Sequence, residues 1–104
     1  MSTTNITGSG QTTRLAGGGN RESAVGYQIT GTFVGTISFE GTIDGSTFVP
    51  VAAVPAAVMP YGTPVTSATA PGIWTVYSAG FMGVRARCSA YTSGTAVITD
   101  QPTG

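Results

Sequence analysis

Along residues 24–29 apolar side chains alternate with small or polar ones, Val25, Tyr27 and Ile29 against Gly26 and Gln28. A period of two is that of a strand with one buried face. Thr30-Gly31 interrupts the run, and in a second alternation Phe33, Ile37, Phe39 and Ile43 share one face, with Gly35 and Gly41 between them. Glycine inside a strand marks a bulge or the close approach of another backbone. Asp44-Gly45-Ser46-Thr47 supplies turn chemistry, because Gly accepts positive φ and an Asp side chain bonds the N–H groups ahead of it. Residues 48–51 are then the returning strand of a hairpin, and Pro50 restricts that strand to an edge or an end. Residues 73–79 predict a further strand with Trp74 and Val76 on one face and Ile73 and Tyr77 on the other, both partly covered. In residues 84–91, Val84, Ala86, Cys88 and Ala90 are read as inward and Arg85, Arg87, Ser89 and Tyr91 as outward. Thr92-Ser93-Gly94 then turns the chain into Ala96-Val97-Ile98 as a final hairpin.

Two segments break the pattern. Residues 1–23 are Thr, Ser and Gly with two isolated aliphatics, Ile6 and Leu15, too far apart to make a buried face. They predict an extended N-terminal arm, flexible or ordered on a partner, with Gly17-Gly18-Gly19 as a hinge; this glycine run lacks the Lys-Ser/Thr of a phosphate loop. Residues 52–72 carry Pro55, Pro60, Pro64 and Pro71 in an apolar setting and predict a long ordered loop that caps the core or presents an apolar patch. The remainder reads as about six strands with turn signals about every ten residues and no helical period. The expected fold is all-β, an antiparallel β-sandwich or jelly-roll-like small barrel over residues 24–104.

Composition narrows the chemistry. Of 104 residues only 8% are charged: Arg14, Arg21, Arg85 and Arg87 against Glu22, Glu40, Asp44 and Asp100, for a net charge of zero. With no surplus of cations to displace counterions, nucleic acid is not an expected partner. The chain has neither His nor Lys, which removes the usual general base, the commonest zinc ligand and Schiff-base chemistry. No catalytic residue, metal or cofactor is therefore expected. No apolar run approaches the roughly 18 residues that span a bilayer, so no membrane partner is expected either. Cys88 is the only cysteine and reads as a small buried hydrophobe. Glu40 and Asp44 lie four positions apart, roughly 13 Å along a strand and beyond the roughly 5–9.5 Å of paired glycosidase carboxylates. They read instead as a cross-strand partner for the arginines and a turn residue.

The run TGTFVGTISFEGTIDGSTFVPV over residues 30–51 resembles small β-sandwich structural proteins of tailed-bacteriophage virions: a Gly-Thr strand, an Asp-Gly turn, an aromatic, then proline. Val84-Arg85-Ala86-Arg87 followed by Thr92-Ser93-Gly94-Thr95 is similar to the closing hairpin of that pattern. The resemblance implies a virion protein without catalytic residues. The form expected first is a capsid decoration or cement protein on the outer shell, with the major capsid protein and sister copies as partners. A homotrimer is expected because three copies multiply a small interface and gain avidity. The expected contact residues are Ile6, Arg14, Leu15 and Arg21 in the arm and Val58, Met59 and Tyr61 in the proline-rich loop. The N-terminal arm and a length of 104 residues without a repetitive shaft favour a shell component over a fibre fragment. The competing expectation is a tail, fibre or baseplate module that binds host-surface carbohydrate through an exposed aromatic such as Tyr61 or Tyr91.

Overall fold

Alternation translates into strands wherever it was present, and a computed structural model that describes residues 2–17, 24–56, 63–78 and 80–103 adds further strands where it was not. The described residues form β1 (Ser2–Ile6), β2 (Ala24–Thr30), β3 (Phe33–Thr42), β4 (Val49–Pro50), β5 (Ala53–Pro55), β6 (Ser67–Ala68), β7 (Gly72–Tyr77), β8 (Gly83–Gly94) and β9 (Ala96–Thr103). One sheet runs β1-β9-β2-β7-β5, antiparallel throughout. The second is centred on β3, with β8 along one side; β4 and β6 share the other, since Glu40 faces both Pro50 and Arg85 and Ile37 faces both Ala68 and Cys88. The all-β antiparallel sandwich expected from the sequence is the fold observed, with extents of 37 × 34 × 22 Å.

The core lies between the sheets. Phe39 of β3 packs its ring 5.6 Å from Tyr27 of β2 and 5.9 Å from Trp74 of β7, joining the layers through tilted aromatic contacts. Val25, Ile29, Ile37, Val76, Val84 and Ile98 are fully buried around them, and Cys88 is buried as expected. The glycine interruption of β3 does mark irregularity: register shifts fall between Val34 and Gly35 and between Thr36 and Ile37. A Cβ on Gly35 would stand 2.5 Å from the Ala90 carbonyl oxygen.

Several expectations are corrected. The turn at Thr92-Ser93-Gly94 closes no hairpin: β8 pairs with β3, whereas β9 pairs with β1 and β2 in the other sheet. It is a corner, matched by the β2–β3 corner at Gly31, and the Thr95 N–H bonds the Thr32 carbonyl at 2.9 Å to tie the two together. Gly94 has φ +87°, and a Cβ there would overlap the Thr32 carbonyl oxygen. Gly94→Ala is thus expected to cost at least about 1–3 kcal/mol, read as a lower urea midpoint; an unchanged midpoint would show that the corner relaxes. The proline-rich stretch is more than a loop, since β5, β6 and a Val65–Ala53 bridge lie in it as short edge pieces. Proline is tolerated at such edges because no ladder donor is lost. Ile43 lies beyond the end of β3 and is 74% exposed, and Ala90 is exposed past the bulge. Ile73 and Tyr77 form an exposed face, not a partly covered one.

The largest correction concerns the N-terminal segment. Residues 2–16 are no separate arm, because β1 pairs with β9 over five residues and residues 10–16 run antiparallel along the outer edge of β8. Main-chain bonds hold the second stretch: Gly10 N–H to Cys88 O at 2.8 Å, Thr13 N–H to Ala86 O at 2.9 Å, and reciprocal Ala16–Val84 bonds at 2.9 and 2.8 Å. The strap therefore crosses from one sheet to the other and closes that side of the sandwich. Ile6, expected as an interface residue, is 1% exposed and sits in the chain's own core. Arg21, Val58, Met59 and Tyr61 lie outside the described residues.

Candidate functional site

Local chemistry first shapes the end of the molecule carrying the β3–β4 turn. Asp44 accepts the N–H groups of Thr47 (2.8 Å) and Ser46 (2.9 Å) and the Thr42 hydroxyl (3.1 Å), while Gly45 N–H donates to Thr42 Oγ1 at 2.9 Å. Those bonds, the Thr47 N–H foremost, hold the Asp44 carboxyl far below the usual carboxylate range. Asp44 is the turn residue its sequence context predicts. The adjacent turn at Phe81 and Met82 is pinned to the same end by Met82 N–H to Thr42 O at 2.8 Å.

Glycines without side chains let apolar groups settle here: Val51 and Phe81 over Gly41, Met82 over Gly45 and Leu15 over Gly83. The result is a cleft of about 340 Å³ lined by Ile43, Val49, Val51 and Phe81, with Asp44 and Thr47 at its polar side. Ile43 is 74% exposed, Met82 54%, Val49 53% and Leu15 41%, so four of the eight exposed large hydrophobics among the described residues gather at this end. Scattered exposed aliphatics are ordinary, but a contiguous group beside a cleft is what partner surfaces present. Leu15, expected as an interface contact of the arm, lies at this end beside Gly83. Its neighbours Ile43, Val49 and Met82 were missed, because β3 alternation continued past Thr42 assigns Ile43 to the core.

The outer face of the β3–β8 pair holds a second group. Arg85 Nε donates to Glu40 Oε1 at 3.0 Å across the sheet, and its guanidinium carbon lies 3.6 Å above the centre of the Phe48 ring. The cross-strand pairing expected for Glu40 is observed, and it occupies the carboxylate. Asp44 is engaged in its turn and Glu40 in its pair with Arg85. Among the described residues no cluster of three or more His, Cys, Asp or Glu can hold a metal ion.

Between strap and sheet lies a third, buried group. Arg14 donates from Nε and Nη2 to Asp100 Oδ1, both at 2.8 Å; the Asp100 side chain is 0% exposed and that of Arg14 45%. Arg14, expected at an interface, therefore spends its charge inside its own chain. Tyr27 is the direct cross-strand neighbour of Asp100. Its buried hydroxyl and Asp100 Oδ2 make no hydrogen bond with the described residues. Burial first, then the neighbouring Asp100 charge, push the Tyr27 phenol well above its ordinary value, opposed by the Thr13 hydroxyl and the Arg14 guanidinium. In the unfolded chain the phenol ionises near about 10 while the folded form keeps its proton, so stability is lost as pH rises above that value. Tyr27→Phe is expected to flatten this alkaline decline, measured as denaturation midpoints between about pH 9 and about pH 11.5; an unaltered slope would exclude Tyr27 as its source. The cluster had a legible signal: Asp100 shares its parity with Ala96 and Ile98, so the alternation that buries them buries the carboxylate too.

These features define a class, a two-layer antiparallel sandwich whose chain changes sheet at glycine corners and whose N-terminal strap seals one flank. A solved structure of similar form is the SPBc2 prophage-derived protein YomS, with a TM-score of 0.62 and 13% sequence identity over 98% of this chain and 94% of that one. No protein-family model matches the sequence, and no curated protein matches it. The likeness to YomS is one of fold.

Proposed function

We propose that this chain is a structural protein of a phage-type particle, of the capsid decoration or cement kind, which docks its apolar end on the outer shell. The observation that carries the reading is the fold shared over nearly the whole length of both chains with a prophage-derived protein. The exposed group of Leu15, Ile43, Val49 and Met82 supplies a surface that seating on a larger assembly would bury. In this reading the major capsid protein is the partner, the location is the capsid exterior, and the chain performs no catalysis and carries no cofactor. Homotrimers fit the same physics: a chain of 104 residues offers a modest interface, and three linked copies bind with avidity that none has alone. The neutral net charge allows dense packing of copies without strong mutual repulsion.

The test is re-addition of purified protein to particles stripped of it. Ile43→Asp and Met82→Asp are each expected to lower occupancy at least about tenfold, as a charge placed in the centre of an apolar contact does, with thermal midpoints unchanged because both positions are exposed. Occupancy equal to the parent protein rejects the docking end, and binding confined to the tail rejects the decoration reading.

A further inference from the structure

The charged side chains are unevenly placed, and one broad face has none among the described residues. Among the described residues Arg14 and Asp100 pair under the strap, Glu40, Arg85 and Arg87 lie on β3 and β8, and Asp44 lies in the turn. On the five-stranded sheet the inward residues include Tyr27, Ile29, Trp74, Val76 and Ile98, so the outward ones are those of opposite parity. Register aligns these outward residues across the strands in uncharged rows: Thr3, Thr99, Gln28 and Ile73 in one, and Gln101, Gly26 and Thr75 in the next.

A shallow groove of about 460 Å³ crosses this face, lined by Gln28, Thr30, Pro71, Gly72 and Ile73, with Ile29 beneath. Neither the Gln28 amide nor the Thr75 hydroxyl forms a hydrogen bond with the described residues; Ile73 and Tyr77, 50% and 63% exposed, project from the same strand face about 13 Å apart. The Gln28 amide in an open groove and the Thr75 hydroxyl one row beyond it, both without a partner or a charge beside them among the described residues and flanked by apolar platforms, match one ligand chemistry above others. Nucleic acid and anionic polymers find no cation here. A dry protein interface would strip water from the unpaired amide and hydroxyl without replacing their bonds. A neutral sugar chain offers hydroxyls to those groups and C–H faces to Ile73, Pro71 and Tyr77, and such contacts tolerate bridging water.

We propose that the outer face of the β1-β9-β2-β7-β5 sheet is a binding site for a neutral, hydroxyl-rich glycan, centred on the Gln28–Ile73 groove and extending toward Tyr77. The site shares no residue with the apolar end, so particle docking and glycan binding succeed or fail separately.

The test is native electrophoresis of the full chain through gels containing dextran, mannan or galactan, together with an array of neutral bacterial-surface oligosaccharides. Retardation by at least one neutral probe is expected, weakened at least about tenfold by Gln28→Ala and by Ile73→Ala. It should be insensitive to salt between about 0.05 and 0.5 M, because no ion pair is made, and unchanged in Ile43→Asp. Both groove positions are exposed, so thermal melting of each variant verifies the fold. The proposal is overturned if none of these probes binds, if binding falls with salt, or if Gln28→Ala binds like the parent. Sedimentation showing self-association through this face, abolished by Ile73→Arg, would equally replace the glycan with a second copy of the chain.

Discussion

Deletion of residues 1–16 is expected to abolish cooperative folding, with loss of the sigmoidal urea transition and of the β-sheet circular dichroism of the intact chain. The effect is large because the strap contributes to both sheets at once. Removing it strips β9 of its β1 partner and β8 of the main-chain bonds from Gly10, Thr13 and Ala16. It withdraws Ile6 from the core, where burial is worth about 2–5 kcal/mol by analogy with truncation of a core isoleucine. It also strands the buried Asp100 carboxylate without Arg14. Those terms together rival the roughly 5–15 kcal/mol that separate a folded domain from its unfolded state. Ile6→Ala alone should lower stability by about 2–5 kcal/mol while leaving the transition cooperative. A deletion protein that melts at the parent's midpoint would restore the picture of a dispensable arm. The distinction matters for function, since a truncated chain that fails to bind particles would report unfolding and not a lost contact.

The strap was hidden from pattern reading for a physical reason. Alternation is legible where one face of a strand is buried by large side chains, as in β2, with Val25, Tyr27 and Ile29 at 0% exposure. In residues 10–16 the inward positions are Thr13 and Ala16, small enough to fit a narrow sandwich flank, and the holding force is main-chain hydrogen bonding, which leaves no mark on residue type. Thr13 illustrates this: 4% exposed, its hydroxyl oxygen accepts the Ala86 N–H at 3.0 Å, so a polar residue does the work of a core one. The Gly94 corner failed differently. Glycine with positive φ serves a hairpin and a sheet-changing corner alike; local residues set the bend, and only long-range pairing decides which strand the chain then meets.

The same separation of local from long-range signal runs through the candidate surfaces. The Asp44 turn and the Glu40–Arg85 pair were accessible from neighbours in sequence or from strand parity. The apolar end gathers residues 15, 43, 49 and 82, far apart in the chain, and is visible only once β3, β4, β8 and the strap are assembled. The sheet face that carries no charge among the described residues was foreshadowed by the scarcity of charge, yet its evenness depends on where the few charges go. Two of the four arginines, Arg14 and Arg85, are consumed by internal ion pairs.

Arg14→Ala is expected to destabilise the protein by about 2–4 kcal/mol and to lower its thermal midpoint by roughly 10 °C or more, with the larger cost of breaking a fully buried pair reduced because Arg14 is itself half in water. The two partners are not equivalent. Loss of Arg14 leaves a carboxylate with 0% exposure and no cation, whereas loss of the Asp100 charge leaves a guanidinium at 45% exposure that water can solvate. Asp100→Asn should therefore cost less than Arg14→Ala although each removes the same ion pair. In the Asp100→Asn background, Arg14→Ala should cost under about 1 kcal/mol more, giving a coupling energy of at least about 1 kcal/mol in the double-mutant cycle. Urea unfolding of the four proteins at neutral pH measures it. Equal single-variant costs with additive behaviour would mean that the strap is held by its backbone bonds and Ile6 alone, with the Arg14–Asp100 pair contributing nothing to closure.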